Sequence, residues 1–110
     1  MYGLELEDIE AINKVFSKYP EIEKVILYGS RAKGNYRRDS DIDLALKGGK
    51  LTLSLLFIIE GELDDLLLPN KLDLTIYHKI GNPDFLEHIK KFGILFYEKT
   101  RDIRKEKTQG

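Results

Sequence analysis

The sequence predicts a single α/β domain, a mixed β-sheet with helices packed on it. Two observations carry that reading. Segments of helical period alternate with short runs of strand length, in the order α-β-β-α-β-α-β. With 110 residues, 42% of them apolar and 34% charged, the chain can build one globular core, and neither two cores nor a disordered polymer fits. No repeat or low-complexity segment interrupts the pattern.

The first helix is expected over 6–19. Ile9, Ile12, Phe16 and Tyr19 recur at three- and four-residue spacing, with Glu7, Asp8, Glu10, Lys14 and Lys18 on the other side. Acids crowd its first turn, where the helix dipole favours them, and Pro20 stops it. Residues 25–28, Val-Ile-Leu-Tyr, are continuously apolar and β-branched, the mark of a buried central strand. Residues 29–40 form a polar, cation-rich loop or short helix. Residues 42–46 alternate, Ile42, Leu44 and Leu46 against Asp43 and Ala45, until Gly48-Gly49 breaks the strand. A second helix is expected over 51–67, weakly interrupted by Gly61 and stopped by Pro69. Residues 72–77 alternate again, with Asp73 and Thr75 opposite Leu72, Leu74 and Ile76. Asn82-Pro83 is a helix start, an N-cap followed by proline at the first helical position. Phe85, Leu86, Ile89 and Phe92 follow at helical spacing up to Gly93, and 94–97 is a last short strand. The domain spans 1–98; 99–110 reads as a charged, flexible tail whose cations Lys99, Arg101, Arg104, Lys105 and Lys107 are solvated, with contact to a partner as the alternative.

Composition excludes several functions. Eighteen Lys and Arg against nineteen Asp and Glu, with a pI near 6.1, leave no general nucleic-acid-binding coat. The absence of cysteine excludes disulfides and thiolate zinc sites. An acidic N-terminus does not read as a signal peptide, and the densest apolar stretch, 51–59, is half a membrane span. A cytoplasmic protein with no membrane partner is expected.

Chemistry concentrates in one segment. Residues i and i+2 of a strand share a face, so Asp41 and Asp43 place two carboxylates side by side. Asp73 stands between Leu72 and Leu74 in a second apolar strand. Like charges that close are costly unless protonated or bridged by cations. Three converging carboxylates would make an oxygen-rich site suited to Mg²⁺. Before them, Gly29-Ser30 follows the buried strand and permits close approach of backbone to a ligand. Arg31, Lys33, Arg37 and Arg38 then place four cations within eight residues. An anion cradle beside an acid cluster describes a site for a metal–nucleoside triphosphate.

The run GSRAKGNYRRDSDIDLAL has Gly-Ser, ten residues, then Asp-x-Asp entering a strand, with Asp73 in a later one. It resembles the nucleotidyltransferase fold of the DNA polymerase β superfamily. By its short length it looks like a minimal nucleotidyltransferase of the MntA type, the antitoxin partner of HEPN-domain toxins. The resemblance covers 25–77 by motif and 1–98 by element order. Gly29, Ser30, Asp41, Asp43 and Asp73 fall on its motif positions.

That resemblance implies an enzyme with two Mg²⁺ ions and ATP as substrate. Asp41 and Asp43 would hold the ion on the triphosphate, and Asp73 would join them in holding a second at the attacking hydroxyl. Gly29, Ser30 and nearby N–H groups would grip the β- and γ-phosphates, and Arg31 would neutralise the pyrophosphate leaving group. The acceptor implied is a tyrosine of a HEPN RNase toxin, presented by that partner because this chain's length leaves no room for an acceptor domain. Such a protein would be a type VII antitoxin. Direct nucleic-acid binding is not expected, and an oligomer with the toxin is left open. Two alternatives stand beside it: a non-catalytic toxin-binding module, and a small-molecule nucleotidyltransferase of the antibiotic-modifying type.

The remaining candidates read more plainly. His88 is expected at the surface. His78 follows the Asp73 strand and could approach the site. Tyr36 could stack on a base or cover its own turn, and Tyr28 packs in the sheet. The run 51–59 reads as a buried helix face, with docking to a partner as the alternative.

Overall fold

The computed structural model describes residues 1–100; the tail cations Arg101, Arg104, Lys105 and Lys107 lie outside them. The chain runs α1 (Leu6–Phe16), β1 (Lys24–Tyr28), α2 (Gly29–Lys33), β2 (Ile42–Lys47), α3 (Leu53–Asp64), β3 (Leu72–Ile76), a 3₁₀ turn (Tyr77–Lys79), α4 (Pro83–Phe92) and β4 (Ile94–Glu98). Four strands form one mixed sheet in the order β3-β2-β1-β4. β1 pairs antiparallel with both β2 and β4, whereas β2 and β3 are parallel. A parallel pair needs a crossover, and α3 supplies it.

Alternation divides the sheet between two sets of helices. Val25, Leu27, Ile42, Leu44, Leu46, Leu74 and Ile76 face the main core, where Ile9, Ile12, Val15 and Phe16 of α1 and Leu56, Ile59 and Leu63 of α3 cover them. Burying each such side chain contributes roughly 1.5–3 kcal/mol. Tyr28 and Ala45 face the other way, onto Ile89 and Phe85 of α4. The candidate site lies on this second, more thinly covered face.

Several helix ends differ from expectation for local reasons. α1 stops at Phe16 rather than Tyr19. Its last bonds tighten to three-residue spacing, Lys18 N to Val15 O and Tyr19 N to Phe16 O, and the residue before a proline is driven out of helical backbone. α3 starts at Leu53, because the Thr52 hydroxyl caps it by accepting from Leu55 N at 3.2 Å. It ends at Asp64, ahead of Leu67, whose backbone is left-handed. The run 51–59 splits: Leu51, Leu56 and Ile59 are buried, while Leu53, Phe57 and Ile58 are exposed.

Candidate active site

Register brings the acids together. In the parallel ladder, Asp43 of β2 is the partner of Asp73 of β3, one strand spacing of ~4.8 Å away. Asp41 lies just ahead of β2, near enough to Asp43 to raise its carboxyl. On the other side of β2, Tyr28 pairs with Asp43. The chain leaves β1 at that residue, so Gly29-Ser30 turns into α2 directly beside the carboxylates. No side chain caps the N-terminus of α2.

Gly29 is required there twice over. Its φ of +76° is left-handed, and a Cβ at this position would strike Asp43 Oδ2. Glycine therefore lets the turn and the Asp43 carboxylate occupy adjoining space. The electrostatics follow from crowding. Burial, then Asp73, then Asp41 raise the Asp43 carboxyl above the usual range, against smaller opposing effects of Arg31 and His88. The Tyr28 phenol is pushed well up by burial, with Asp43 and Asp73 adding to it.

Arg31 departs from its expected place. It is the one charged residue buried among those described, 2% exposed. Its guanidinium donates to backbone: Nε and Nη2 to Ser40 O (3.2 and 2.8 Å), Nη2 to Arg38 O (3.4 Å) and Nη1 to Tyr2 O (2.9 Å). The guanidinium implied as a neutraliser of pyrophosphate is thus held by backbone carbonyls. Lys33, Arg37 and Arg38 remain exposed on the same loop. Tyr36 covers its own turn. Its ring lies 5.3 Å from Arg31 Cζ and against Gly3.

The histidines exchange places. His88, expected at the surface, is half-buried between Tyr28 and Phe92, at 6.4 and 5.3 Å between ring centroids, and near enough to Asp43 to favour its ionised form. The signal was present in the helical period, since His88 lies three residues after Phe85 and four before Phe92, on the apolar stripe of α4. His78 is exposed in the 3₁₀ turn that follows β3, beyond the end of the strand away from Asp73. Asn70 was also missed; nothing in the apolar period marks it. Its Nδ2 donates to Arg38 O at 2.8 Å and Ser40 O at 3.3 Å.

The family model for "Polymerase beta, Nucleotidyltransferase" matches residues 10–102, most of the chain. The chain belongs to this nucleotidyltransferase family. It is 48% identical over 40 residues to the "Putative protein adenylyltransferase MJ0604" of Methanocaldococcus jannaschii, a match spanning 36% of this chain and 40% of that relative's length. Among solved structures it resembles a chain of a toxin–antitoxin crystal structure with AMP-PNP, with TM-score 0.68 and 19% identity over 92% of this chain and 82% of that one. It also resembles a chain of the complex of a tri-AMPylated Shewanella oneidensis HEPN toxin with MNT antitoxin, with TM-score 0.64 and 16% identity over 96% and 79%. At such identities the likeness is one of fold.

The candidate site also bears on metal. Among the described residues, no group of three or more acid, histidine or cysteine side chains is placed to hold a metal ion, so Asp41, Asp43 and Asp73 do not converge as the three-carboxylate cage expected of them. The donor chemistry nonetheless fits a hard divalent cation. All three candidate ligands are carboxylates, and Asp43 is held against the repulsion of two neighbours. Mg²⁺ takes one or two protein carboxylates and completes its shell with water and substrate phosphates.

Proposed function

We propose that this nucleotidyltransferase transfers AMP from ATP to a tyrosine hydroxyl of a HEPN-type RNase toxin and so acts as its antitoxin. The observation that carries the catalytic part is the register of Asp43 with Asp73 beneath the left-handed Gly29 turn. The acceptor is supported by two likenesses: the fold shared with toxin–antitoxin complexes, one of them holding a tri-AMPylated toxin, and the short match to a protein named as an adenylyltransferase.

Asp41 and Asp43 would hold one Mg²⁺ on the triphosphate, and Asp73 would join them in holding a second at the acceptor oxygen. Bound there, the ions would lower the acceptor pKa and stabilise the attacking and leaving oxygens. The residues of the chain would orient and attract. Backbone at Gly29 and the Ser30 hydroxyl would face the β- and γ-phosphates, and the exposed Lys33, Arg37 and Arg38 would draw the anionic nucleotide inward. The acceptor oxygen gives its proton to water and attacks the α-phosphorus; the bond from that phosphorus to the α,β-bridging oxygen breaks, and pyrophosphate leaves with the electron pair. A phenol of pKa ~10 needs help to ionise near neutral pH, which suits a site with such ions.

The test is intact-mass spectrometry of a purified HEPN toxin after incubation with the protein, ATP and Mg²⁺. The toxin should gain whole AMP units and lose RNase activity. Asp41→Ala and Asp73→Ala should support no gain. Neutralisation without mass change, equally by both mutants, would establish the non-catalytic binding module instead.

A further inference from the structure

Among the described residues, ion pairs join Lys18 to Glu62 and Lys24 to Glu98; buried Arg31 pairs with no carboxylate. Burying a guanidinium costs several kcal/mol unless its N–H groups find partners. One of the partners it finds is Tyr2 O at the N-terminus; the other two, Arg38 O and Ser40 O, lie in the segment that leads to Asp41. Ser40 O accepts from Arg31 Nε and Nη2 and from Asn70 Nδ2, and Arg38 O accepts from Arg31 Nη2 and Asn70 Nδ2. The Ser40 carbonyl belongs to the peptide group that carries the nitrogen of Asp41, so three donors converge on the bond entering the first acid. Asn70 itself stands three residues before Asp73. Next to it, Lys71 O accepts from Ile42 N at 2.8 Å. Arg31 stands one residue beyond Ser30. One network therefore ties together the phosphate turn, the approach to Asp41 and the approach to Asp73.

We propose that Arg31 and Asn70 are positioning residues of this nucleotidyltransferase: by sharing the carbonyls of Arg38 and Ser40 they set the spacing of Asp41 and Asp43 from Asp73 and from Gly29-Ser30 before the cation arrives. The inference rests on the reading of the three aspartates as metal ligands. Geometry matters here as well as charge. Arg31 reaches three carbonyls through a planar fork, which an ammonium cannot reproduce. Asn70 adds donors without charge, so its loss changes the positions of the acids and leaves the field almost as it was.

The experiment uses the full chain, with Mn²⁺ standing for Mg²⁺ and α,β-methylene-ATP for the nucleotide. Mn²⁺ binding is followed by electron paramagnetic resonance in wild type, Asn70→Ala, Arg31→Lys and Asp43→Asn, well below each melting midpoint. Outer-shell partners of metal ligands are worth about 10–100-fold in affinity. Asn70→Ala and Arg31→Lys should each bind Mn²⁺ at least ~10-fold more weakly than wild type, and in metal-free protein amide hydrogens over 37–42 should exchange faster. A merely structural role would lower the melting temperature and leave Mn²⁺ affinity of the folded protein unchanged. Asn70→Ala binding like wild type while Asp43→Asn does not would overturn the inference and spare the metal site. Arg31→Lys binding like wild type would overturn the part assigned to the fork. Wild type that binds no Mn²⁺ with the analogue would overturn both the inference and the reading beneath it. If Arg31→Lys fails to fold, Asn70→Ala decides.

Discussion

Replacing Gly29 with alanine separates two costs that the structure places on one atom. The first is conformational. Gly29 has φ +76°, and an L-residue in left-handed backbone loses about 1–2 kcal/mol. The second is a collision of the new Cβ with Asp43 Oδ2, and forced overpacking costs about 1–3 kcal/mol. The sum, about 2–5 kcal/mol, is a large part of the 5–15 kcal/mol typical of a whole domain. At roughly 4–8 °C per kcal/mol for a chain of this size, the melting midpoint should fall by at least about 8 °C. Gly34 supplies the control. Its φ is +86°, but nothing lies within 4 Å of its Cβ position, so Gly34→Ala should incur the conformational cost alone. Urea melts of Gly29→Ala, Asp43→Ala and the double mutant, without metal, give the coupling directly. The double mutant should recover about 1–3 kcal/mol relative to the sum of the single changes, since removing the carboxylate removes the collision. Additivity within ~0.5 kcal/mol, or a Gly34→Ala cost equal to that of Gly29→Ala, would refute the close contact.

Other expectations follow from the same site and from the caps. Burial and two neighbouring carboxylates raise the Asp43 carboxyl in the folded state. Its contribution to stability is therefore full at low pH, below the ordinary carboxylate value, and is lost as pH rises through the folded value. Asp43→Asn should flatten the fall of the metal-free melting temperature as pH rises above the ordinary carboxylate range, and be neutral or stabilising at neutral pH; melts at several pH values in chelator check it, and a strong loss at neutral pH would make the carboxylate structural. Adding Mg²⁺ and ATP should raise the wild-type midpoint and leave that of Asp43→Asn almost unmoved. Thr52→Ala removes the oxygen that accepts from Leu55 N and should cost about 1 kcal/mol by urea titration, with no effect on nucleotide binding.

Much of the fold was legible because its signals are local. The period-2 runs at Ile42–Leu46 and Leu72–Ile76 give both strands and send Asp43 and Asp73 to a single kind of face. The Asn82-Pro83 start of α4 carries its own chemistry, and Asn82 Oδ1 does accept from Asp84 N and Phe85 N. Helix ends were less legible, because proline acts through the residue before it and Thr52 competes with its apolar neighbours for the start of α3. In the site, motif spacing singled out the acids and the glycine, but the contact between Gly29 and Asp43 belongs to strand pairing, which no single segment encodes. Asn70 was invisible for the same reason. A lone asparagine after a proline reads as a turn, and its bonds to Arg38 and Ser40 span about thirty residues.

The burial of Arg31 has a physical lesson. Four cations in eight residues look alike in sequence, yet the fold divides them into three that face solvent and one that is 2% exposed. A buried charge without a carboxylate partner survives only where other groups compensate it. Carbonyl dipoles do so at Arg31, and the acid cluster needs the same compensation in reverse. Asp43 gains from Arg31 and His88 and loses to burial, Asp73 and Asp41, with burial the largest effect and the net shift upward. Arg31 and His88 thus do not offset burial and the two neighbouring carboxylates at Asp43. Positive charge brought beside Asp43 would relieve that strain, and a metal-bound triphosphate is one way to bring it.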